Sequence, residues 1–477
     1  MKSDRRKFLR QVTIGASSLA TLPAFVKKDE EDILCFFSNQ HGEQHFNMCG
    51  FAAPKIETVR IGVIGLGMRG SEAVRRLSYI DGLEIVALCD KYPDRIAAAQ
   101  KTLGEMQRPK AKEYTGEEGW KALCESNDID LVYTPTPWHL HTPIAVYAMK
   151  NGKHAATEVP AAKTLDQCWE LVETSEKTRK HCMMLENCCY DFFELLTLNM
   201  VRNGMFGEIV HAEGAYIHDL SIEHIFNKNA YADMWRLKEN IGRNGNLYPT
   251  HGLGPIAQCM NINRGDRFEH LISMSTNDFT MNDLAKELAA KDSFFEPYVD
   301  KPYRGNMNTT IVRTYKGKTV MVQHDVSSPR PYSRIHVLSG TKGSASKWPS
   351  PERISFGHSW IKEEELKDLY DKHSPPIVTH MGTIAKDVGG HGGMDFIMDW
   401  RLIDCLRNGL PLDEDVYDAA TWSAVGVLSE KAVGAKFKPI DFPDFTKGSW
   451  KTNKPHDMTL NGGATTSVRE VKPKLKM

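Results

Sequence analysis

Gly65, Gly67 and Gly70 stand in the run Ile61-Gly62-Val63-Ile64-Gly65-Leu66-Gly67-Met68-Arg69-Gly70 with the spacing G-x-G-x-x-G. Glycines so spaced permit a tight turn. They let backbone approach a pyrophosphate, whose charge then sits on the N-terminus of the next helix. The surroundings make the motif specific. An apolar run at 59–64 precedes it and a helical pattern at 71–80 follows. A second apolar run at 83–89 then ends in Asp90, 20 residues beyond Gly70. A carboxylate at that distance accepts from a ribose 2′-OH and repels a 2′-phosphate, so the implied cofactor is NAD rather than NADP. Met68 and Arg69, next to the turn, are expected to approach the pyrophosphate.

Such a turn needs a sheet to hold it, and the β–α alternation continues past Asp90. Residues 93–104 have helical spacing, 128–133 form a short buried strand and 143–150 are helical. Residues 153–158 form another strand, 165–180 a helix with apolar residues three and four apart, and 182–187 are strand-like. This predicts a doubly wound parallel sheet that binds its nucleotide at the carboxyl ends of the strands. Trp138, His139, Leu140 and His141 follow the third strand there, with a loop surface as the alternative for His139 and His141. Glu158, Val159 and Asn187 end later strands and are expected around the nicotinamide ribose. The pattern then changes. Strands at 208–216, 268–274, 308–315, 319–324 and 334–339 follow one another with turns between, and helices return at 394–407 and 415–435. The fold class is therefore α/β: an N-terminal Rossmann domain (57–187), then an α+β domain with a mostly antiparallel sheet (188–477). The polar stretch 345–390 reads as a long surface excursion, and the tail after Pro439 as irregular.

Basic and acidic residues nearly balance, 60 against 61 in 477. Bulk charge thus points to no nucleic-acid or membrane-surface partner. No apolar run is long enough to span a bilayer as a mature helix. Ser3-Asp4-Arg5-Arg6-Lys7-Phe8-Leu9-Arg10 precedes a mildly apolar stretch at 12–26. That is the pattern of a twin-arginine export signal, which makes 1–56 a signal and leader. The route carries folded proteins, which suits one that takes up its dinucleotide before export. The mature chain is then expected in the periplasm or at the cell surface of a bacterium. Ten scattered cysteines make no disulfide framework. The vicinal pair Cys188-Cys189 is two packed thiols, or else a redox or metal pair. With no C-x-x-C or H-E-x-x-H present, no metal site is expected.

Four stretches carry a resemblance. They are Thr136-Pro137 with His141, Gly152-Lys153-His154 with Glu158-Val159-Pro160, Gly204-Met205-Phe206-Gly207-Glu208-Ile209, and the glycine turn itself. Together they resemble the glucose–fructose oxidoreductase / inositol dehydrogenase / rhizopine catabolism superfamily over nearly all of the chain past residue 57. Dehydrogenases of that superfamily carry Glu-Lys-Pro, and a valine at 159 cannot transfer a proton. They also carry Asp-x-Gly-x-His where this chain has Thr250-His251-Gly252-Leu253-Gly254. These departures, with Glu186-Asn187-Cys188-Cys189-Tyr190, Ala215-Tyr216-Ile217-His218-Asp219 and Gly245-Asn246-Leu247-Tyr248-Pro249-Thr250-His251-Gly252, resemble glycoside hydrolase family 109.

That resemblance implies an NAD-dependent α-N-acetylgalactosaminidase, one of the exceptions to two-carboxylate glycoside hydrolysis. Its logic is oxidation at sugar C3, loss of the acidified C2 proton, elimination at C1, addition of water and re-reduction. Such a sequence needs two bases and an acid. His251 and Tyr248 are the acid–base candidates, three apart at a helix start, with a structural His and packed Tyr as the alternative. Tyr216, Arg236, Tyr248, Pro249, Thr250, His251 and Tyr332 are the implied substrate contacts. Tyr216 reads equally as a core tyrosine and Arg236 as a surface arginine. His391 and Asp395, four apart at a helix start, read as capping and packing or as a metal pair. A small-molecule glycan is the implied substrate and a homodimer the implied assembly. An exported NAD(P)-dependent sugar oxidoreductase is the alternative function.

Overall fold

Past Arg60, residues 61–64 (Ile-Gly-Val-Ile) carry no polar side chain on either side of the backbone, so the strand at 59–64 suits cover by helices on both faces. The computed structural model, which describes residues 42–470, makes it the centre of a six-stranded sheet. The export signal expected at residues 5–26 lies outside the described residues. In chain order the first sheet runs β1 (Val59–Ile64), α1 (Met68–Leu77), β2 (Leu83–Asp90), α2 (Pro93–Glu105), β3 (Lys112–Thr115), α3 (Gly119–Glu125), β4 (Leu131–Thr134), α4 (Trp138–Lys150), β5 (His154–Thr157), α5 (Leu165–Thr178) and β6 (Cys182–Met184). Its strand order is β3-β2-β1-β4-β5-β6, all parallel. This is the doubly wound order, and it reverses between β1 and β4, where the glycine turn sits.

The remainder begins with α6 (Phe192–Arg202), β7 (Ile209–Ile217), α7 (Trp235–Glu239), α8 (Thr250–Cys259), β8 (Phe268–Ser275), α9 (Met281–Ala289), β9 (Asn308–Thr314) and β10 (Thr319–Asp325). It ends with β11 (Val337–Gly340), β12 (Ser344–Ser346), β13 (Arg353–Ser355), α10 (Glu363–His373), α11 (Pro376–Val388), α12 (Met394–Asn408), α13 (Val416–Gly434) and β14 (Ile440–Asp441). The second sheet has the order β13-β12-β11-β7-β10-β9-β8-β14. Only β7 and β10 pair parallel, so it is mostly antiparallel as expected.

Three places differ from the sequence reading. The stretch 345–390 is not a loop excursion but carries β13, α10 and α11. Helix α10 buries no residue, so it has no apolar stripe to announce it. Helix α11 does carry a stripe, Ile377, Met381, Ala385 and Val388, which the sequence reading passed over among its polar neighbours. The second place is β3, a short edge strand, Lys-Glu-Tyr-Thr, with no buried residue. The third is Trp138 to His141, which form the first turn of α4 rather than a loop, after the fourth strand rather than the third.

The chain also folds back. Helix α12 packs on α1, and α13 on α5 and β6, so C-terminal helices complete the first sheet's outer layer. Arg76 of α1 donates through Nε to Asp399 of α12 at 2.9 Å, and Tyr133 of β4 donates to the same carboxylate at 2.9 Å. All three groups are buried. This registers α12 against the glycine-turn helix and brings Asp395, one turn earlier, against Arg69. Among the described residues no helix is long and apolar enough to cross a membrane.

Candidate functional site

The glycine turn is built as its spacing demands. Gly65 sits at φ +93°. A Cβ on Gly70 would lie 1.9 Å from the Gly65 carbonyl oxygen, so only hydrogen fits where the helix crosses the turn. At Gly67 a Cβ would meet nothing nearer than Arg95 Nη1 at 3.5 Å. Its Cα therefore faces open space. Helix α1 starts at Met68 with no side-chain cap and no acid in its first turn. Its leading N–H groups are free for an anion. Asp90 closes this end. Its Oδ2 accepts from Leu66 N–H at 2.7 Å and its Oδ1 from Tyr92 N–H at 3.0 Å, with Arg95 Nη1 3.8 Å away. The donors, the cradle and the acid fit a dinucleotide.

A cleft of about 600 Å³ runs from this turn to the second sheet. Gly65, Gly67, Met68, Arg69, Asp90, Trp138, His139, Leu140, His141, Glu158, Val159 and Asn187 all line it. Gly70 stands behind the turn. Arg69 spends its guanidinium on Glu158 Oε1 at 2.8 Å and Asp395 Oδ2 at 3.0 Å. What α1 offers an anion is therefore backbone N–H. His141 is buried with both ring nitrogens 2.7 Å from carbonyl oxygens, those of Pro160 and Thr136. Burial holds its pKa below the usual histidine value, and a neutral ring donates through one nitrogen only. The ring thus ties the β4 and β5 ends together.

Strand β7 and helix α8 bring the polar end together. Gly214 and Gly252 allow direct backbone contact: a Cβ on Gly214 would lie 2.3 Å from Gly252 O, and one on Gly252 2.1 Å from Ala215 N. This seats α8 on β7 and sets Tyr216 beside Tyr248 and His251, with ring centroids 4.9 and 5.3 Å apart. Tyr248 Oη lies 3.3 Å from His251 Nε2. His251 Nδ1 lies 2.6 Å from Oε1 of Glu186, a fully buried carboxylate just past β6. Burial pushes Glu186 up, but His251, together with Thr250 and the Cys188 N–H, holds it below the ordinary glutamate range. Burial pushes the Tyr248 phenol far up, so it stays protonated. Arg236 is buried in a cage, its guanidinium 4.8 Å from the Tyr248 ring, 5.0 Å from Trp138 and 5.6 Å from Tyr231. Pro249 and Thr250 are buried at the start of α8 and do not line the cleft. Tyr332 stands one layer back, its ring 5.0 Å from His218 and 6.2 Å from Tyr216.

Several residues in and behind the cleft escaped the sequence reading as functional positions. Glu186, fully buried behind His251, is one. His218 is another, its Nδ1 3.0 Å from Tyr216 Oη. The most telling is His391. It stands in Gly389-Gly390-His391-Gly392-Gly393, five successive residues at positive φ (92°, 87°, 45°, 75° and 110°). It lines the cleft with Nδ1 2.9 Å from Asp395 Oδ2. Asp395 is fully buried. Burial pushes it up, but Arg69, with His391 and Arg76 beyond it, holds it well below the usual carboxylate range. Asn187 donates to its other oxygen at 2.5 Å. Four glycines around one histidine were the available signal: such a run keeps φ free for an exposed ring rather than for a cap. Cys188 and Cys189 are buried free thiols that burial pushes far above the ordinary thiol range. Ligand atoms of Glu186, Cys188 and His251 lie within 4.8 Å of one another, but the His251–Glu186 hydrogen bond already uses that space.

The family model of the glycosyl hydrolase 109 C-terminal domain matches residues 190–452. The NAD-binding Rossmann fold of the GFO/IDH/MocA oxidoreductase family matches residues 59–186. A Bacteroides fragilis protein named alpha-N-acetylgalactosaminidase is 48% identical over 411 residues, covering 85% of this chain and 96% of its own length. Glycosyl hydrolase family 109 protein 1 of Bacteroides thetaiotaomicron is 47% identical over 464 residues, covering 93% of this chain and 97% of its own. Among solved structures, levoglucosan dehydrogenase in complex with NADH and levoglucosan matches with TM-score 0.60 at 16% identity, covering 81% of this chain and all of that one. The scyllo-inositol dehydrogenase of Lactobacillus casei with bound NAD(H) matches with TM-score 0.56 at 14%, covering 80% of this chain and 99% of that one. At such identities these structures speak for the fold alone. With its NAD-binding domain, its lysine-free Glu158-Val159-Pro160 and a family model over more than half its length, the chain belongs to glycosyl hydrolase family 109.

Proposed function

We propose that this glycoside hydrolase removes terminal α-linked N-acetylgalactosamine from glycans. The observation that carries the reading is a pair of histidines in one cleft, each held at Nδ1 by a buried carboxylate: His251 by Glu186 and His391 by Asp395. An elimination needs one group to take a proton and another to give one, and imidazoles with a fixed tautomer do both near neutral pH. Bound NAD supplies reversible two-electron oxidation of a sugar carbinol. The glycine turn and first-turn N–H groups of α1 hold the pyrophosphate. Asp90 takes the adenosine ribose, and Trp138, Glu158, Val159 and Asn187 flank the nicotinamide ribose.

On the sugar, His251 works through Nε2, the nitrogen left free by Glu186: it takes the C3 hydroxyl proton relayed through Tyr248 as the hydride leaves, releases it to solvent, and then takes the C2 proton, while Tyr248 donates its hydroxyl to the C3 oxygen. Arg236, fixed by three aromatic faces, gives N–H groups to the acetamide carbonyl. Tyr216 packs on the sugar face. His391, oriented by Asp395, protonates the departing glycosidic oxygen. The test is release of nitrophenol from 4-nitrophenyl α-N-acetylgalactosaminide by dialysed protein, with the sugar protonated or deuterated at C2. Release slowed by deuterium supports the whole sequence. Release without an isotope effect keeps the hydrolase and makes another step rate-limiting. No release, with oxidation of a free sugar instead, replaces it with the oxidoreductase.

Homodimerisation belongs to the same proposal. Ile272 and Met274 of β8 and Ile311 of β9 are exposed on the sheet face, and Ile272 and Ile311 pair with each other. A row of exposed aliphatics on an open sheet is a surface another copy can cover. Ile272→Lys with Ile311→Lys is expected to turn a dimer into a monomer in light scattering. Export by the twin-arginine route rests on Arg5 and Arg6. Arg5→Lys with Arg6→Lys is expected to leave the protein in the cytoplasmic fraction.

A further inference from the structure

A second cavity, of about 510 Å³, lies under helices α10 and α11. His391 and Gly392 line it, and His391 also lines the main cleft. The two cavities therefore meet at the histidine proposed to protonate the glycosidic oxygen. A glycoside cleaved there has its sugar on one side of that histidine and its leaving group on the other. We infer that the second cavity is the binding site for the leaving group, and that it takes a carbohydrate. The inference rests on the function proposed above.

The lining supports a neutral polyhydroxylated ligand. At the back, Lys347 pairs with Asp191 and lies 3.4 Å from Glu352 Oε1, and Tyr370 donates to Glu352 Oε2 at 2.5 Å. Those charges are satisfied within the protein, so the back wall carries no surplus charge for an ionic ligand. At the front, Lys386 projects from α11 with its ammonium 4.4 Å from the Phe192 ring centroid. Among the described residues no carboxylate pairs with it. Gly382 permits this arrangement: a Cβ there would lie 2.9 Å from Phe192 Cε1, so α11 can rest on the ring. Thr383, one residue on, is exposed at the same mouth. An ammonium that no carboxylate holds and a hydroxyl on one rim match the hydroxyl oxygens of a sugar.

The experiment compares two substrates on the same protein. One is N-acetylgalactosamine α1,3-linked to galactose, whose leaving group is a sugar. The other is the 4-nitrophenyl glycoside, whose leaving group has no hydroxyl. The readout is the ratio of kcat/KM for the disaccharide to that for the aryl glycoside. Loss of one charge-assisted hydrogen bond in Lys386→Ala is expected to lower this ratio about tenfold. Thr383→Trp, which fills the mouth from an exposed helix position, is expected to lower it further and to weaken inhibition by free galactose. A ratio unchanged in both variants, with either substrate still hydrolysed, overturns the inference and leaves the hydrolase standing. An equal fall on both substrates also overturns it, since the residues would then act on the His391 loop. A ratio that falls only with a threonine-linked peptide in place of the disaccharide reassigns the cavity to peptide. Hydrolysis of neither substrate by the unmodified protein refutes the function itself.

Discussion

Glu186→Gln isolates the charge behind His251. In the native protein Oε1 lies 2.6 Å from His251 Nδ1 and also accepts from Cys188 N–H at 3.2 Å. Two donors converge on that atom, so glutamine must put its carbonyl oxygen there. Its NH₂ then takes the Oε2 place, which has no hydrogen-bond partner. The nearby buried Glu414, whose Oε2 accepts from the Glu186 N–H at 3.3 Å, has a spare oxygen of its own. The substitution thus keeps the Nδ1–H tautomer and removes only the charge that stabilises His251 once it has taken a proton. A hydrogen bond to a charged group is stronger than a neutral one and contributes about 1.5–3 kcal/mol. If all of it is felt in the transition state, kcat falls about 10- to 150-fold. Because the neutral hydrogen bond survives, the expected fall is near the lower limit. Glu186→Leu loses orientation as well and is expected to pass the upper limit. The assay is steady-state hydrolysis of the 4-nitrophenyl glycoside, with bound NAD quantified after denaturation and the melting temperature recorded beside it. The expected result is a lower kcat with KM and NAD content near wild type. A kcat within twofold of wild type in both variants, or a loss of NAD that accounts for the lost activity, would refute the reasoning.

Gly70→Ala sets a Cβ against the Gly65 carbonyl, a contact neither backbone can relieve. It is expected to cost about 1–3 kcal/mol and the co-purified NAD together, read by melting temperature and bound-cofactor absorbance. Arg236→Lys keeps the charge but loses the planar fork held among Trp138, Tyr231 and Tyr248. A rise in KM of about tenfold for the N-acetylated sugar is expected, and an unchanged KM speaks against the acetamide contact. Glu194 carries a pH signature: burial pushes its carboxyl from 4.5 up to about 8, against the pull of Arg334. A raised carboxyl favours the folded state while protonated. Its contribution is full below about 4.5, falls as pH rises and is gone above about 8. Glu194→Gln is expected to flatten the decline in melting temperature across that window. An identical slope in both proteins would contradict it.

The cofactor half of the site was legible in local patterns because each part is local. The glycines, the strand before them and the acid after β2 lie within one βαβ unit, and the distances between them are set by strand and helix lengths. Tyr248 and His251 were legible for the same reason, being three residues apart across the start of α8. The partners that give them meaning were not. Glu186 and His251 are 65 positions apart, and Arg69 and Asp395, which set the His391 loop, are 326 apart. No periodicity links such pairs. The Gly-Gly-His-Gly-Gly run was visible, but its neighbour Asp395 reads as a helix-start acid until α12 docks on α1. Helix α10 was missed because a helix that buries nothing has no stripe.

By itself the sequence determined a doubly wound NAD-binding sheet and a mostly antiparallel second sheet, because backbone propensity, alternation and turn chemistry act over a few residues. Its motifs also carried the resemblance to a family without the usual catalytic lysine. Only the tertiary structure decided which carboxylate holds which histidine, that Arg69 is spent on Glu158 and Asp395, and that a second cavity opens behind His391. Those outcomes depend on which buried faces pack together. Packing of the C-terminal helices onto the first sheet, with the buried Arg76–Asp399 pair at its centre, is what brings distant residues into hydrogen-bonding range.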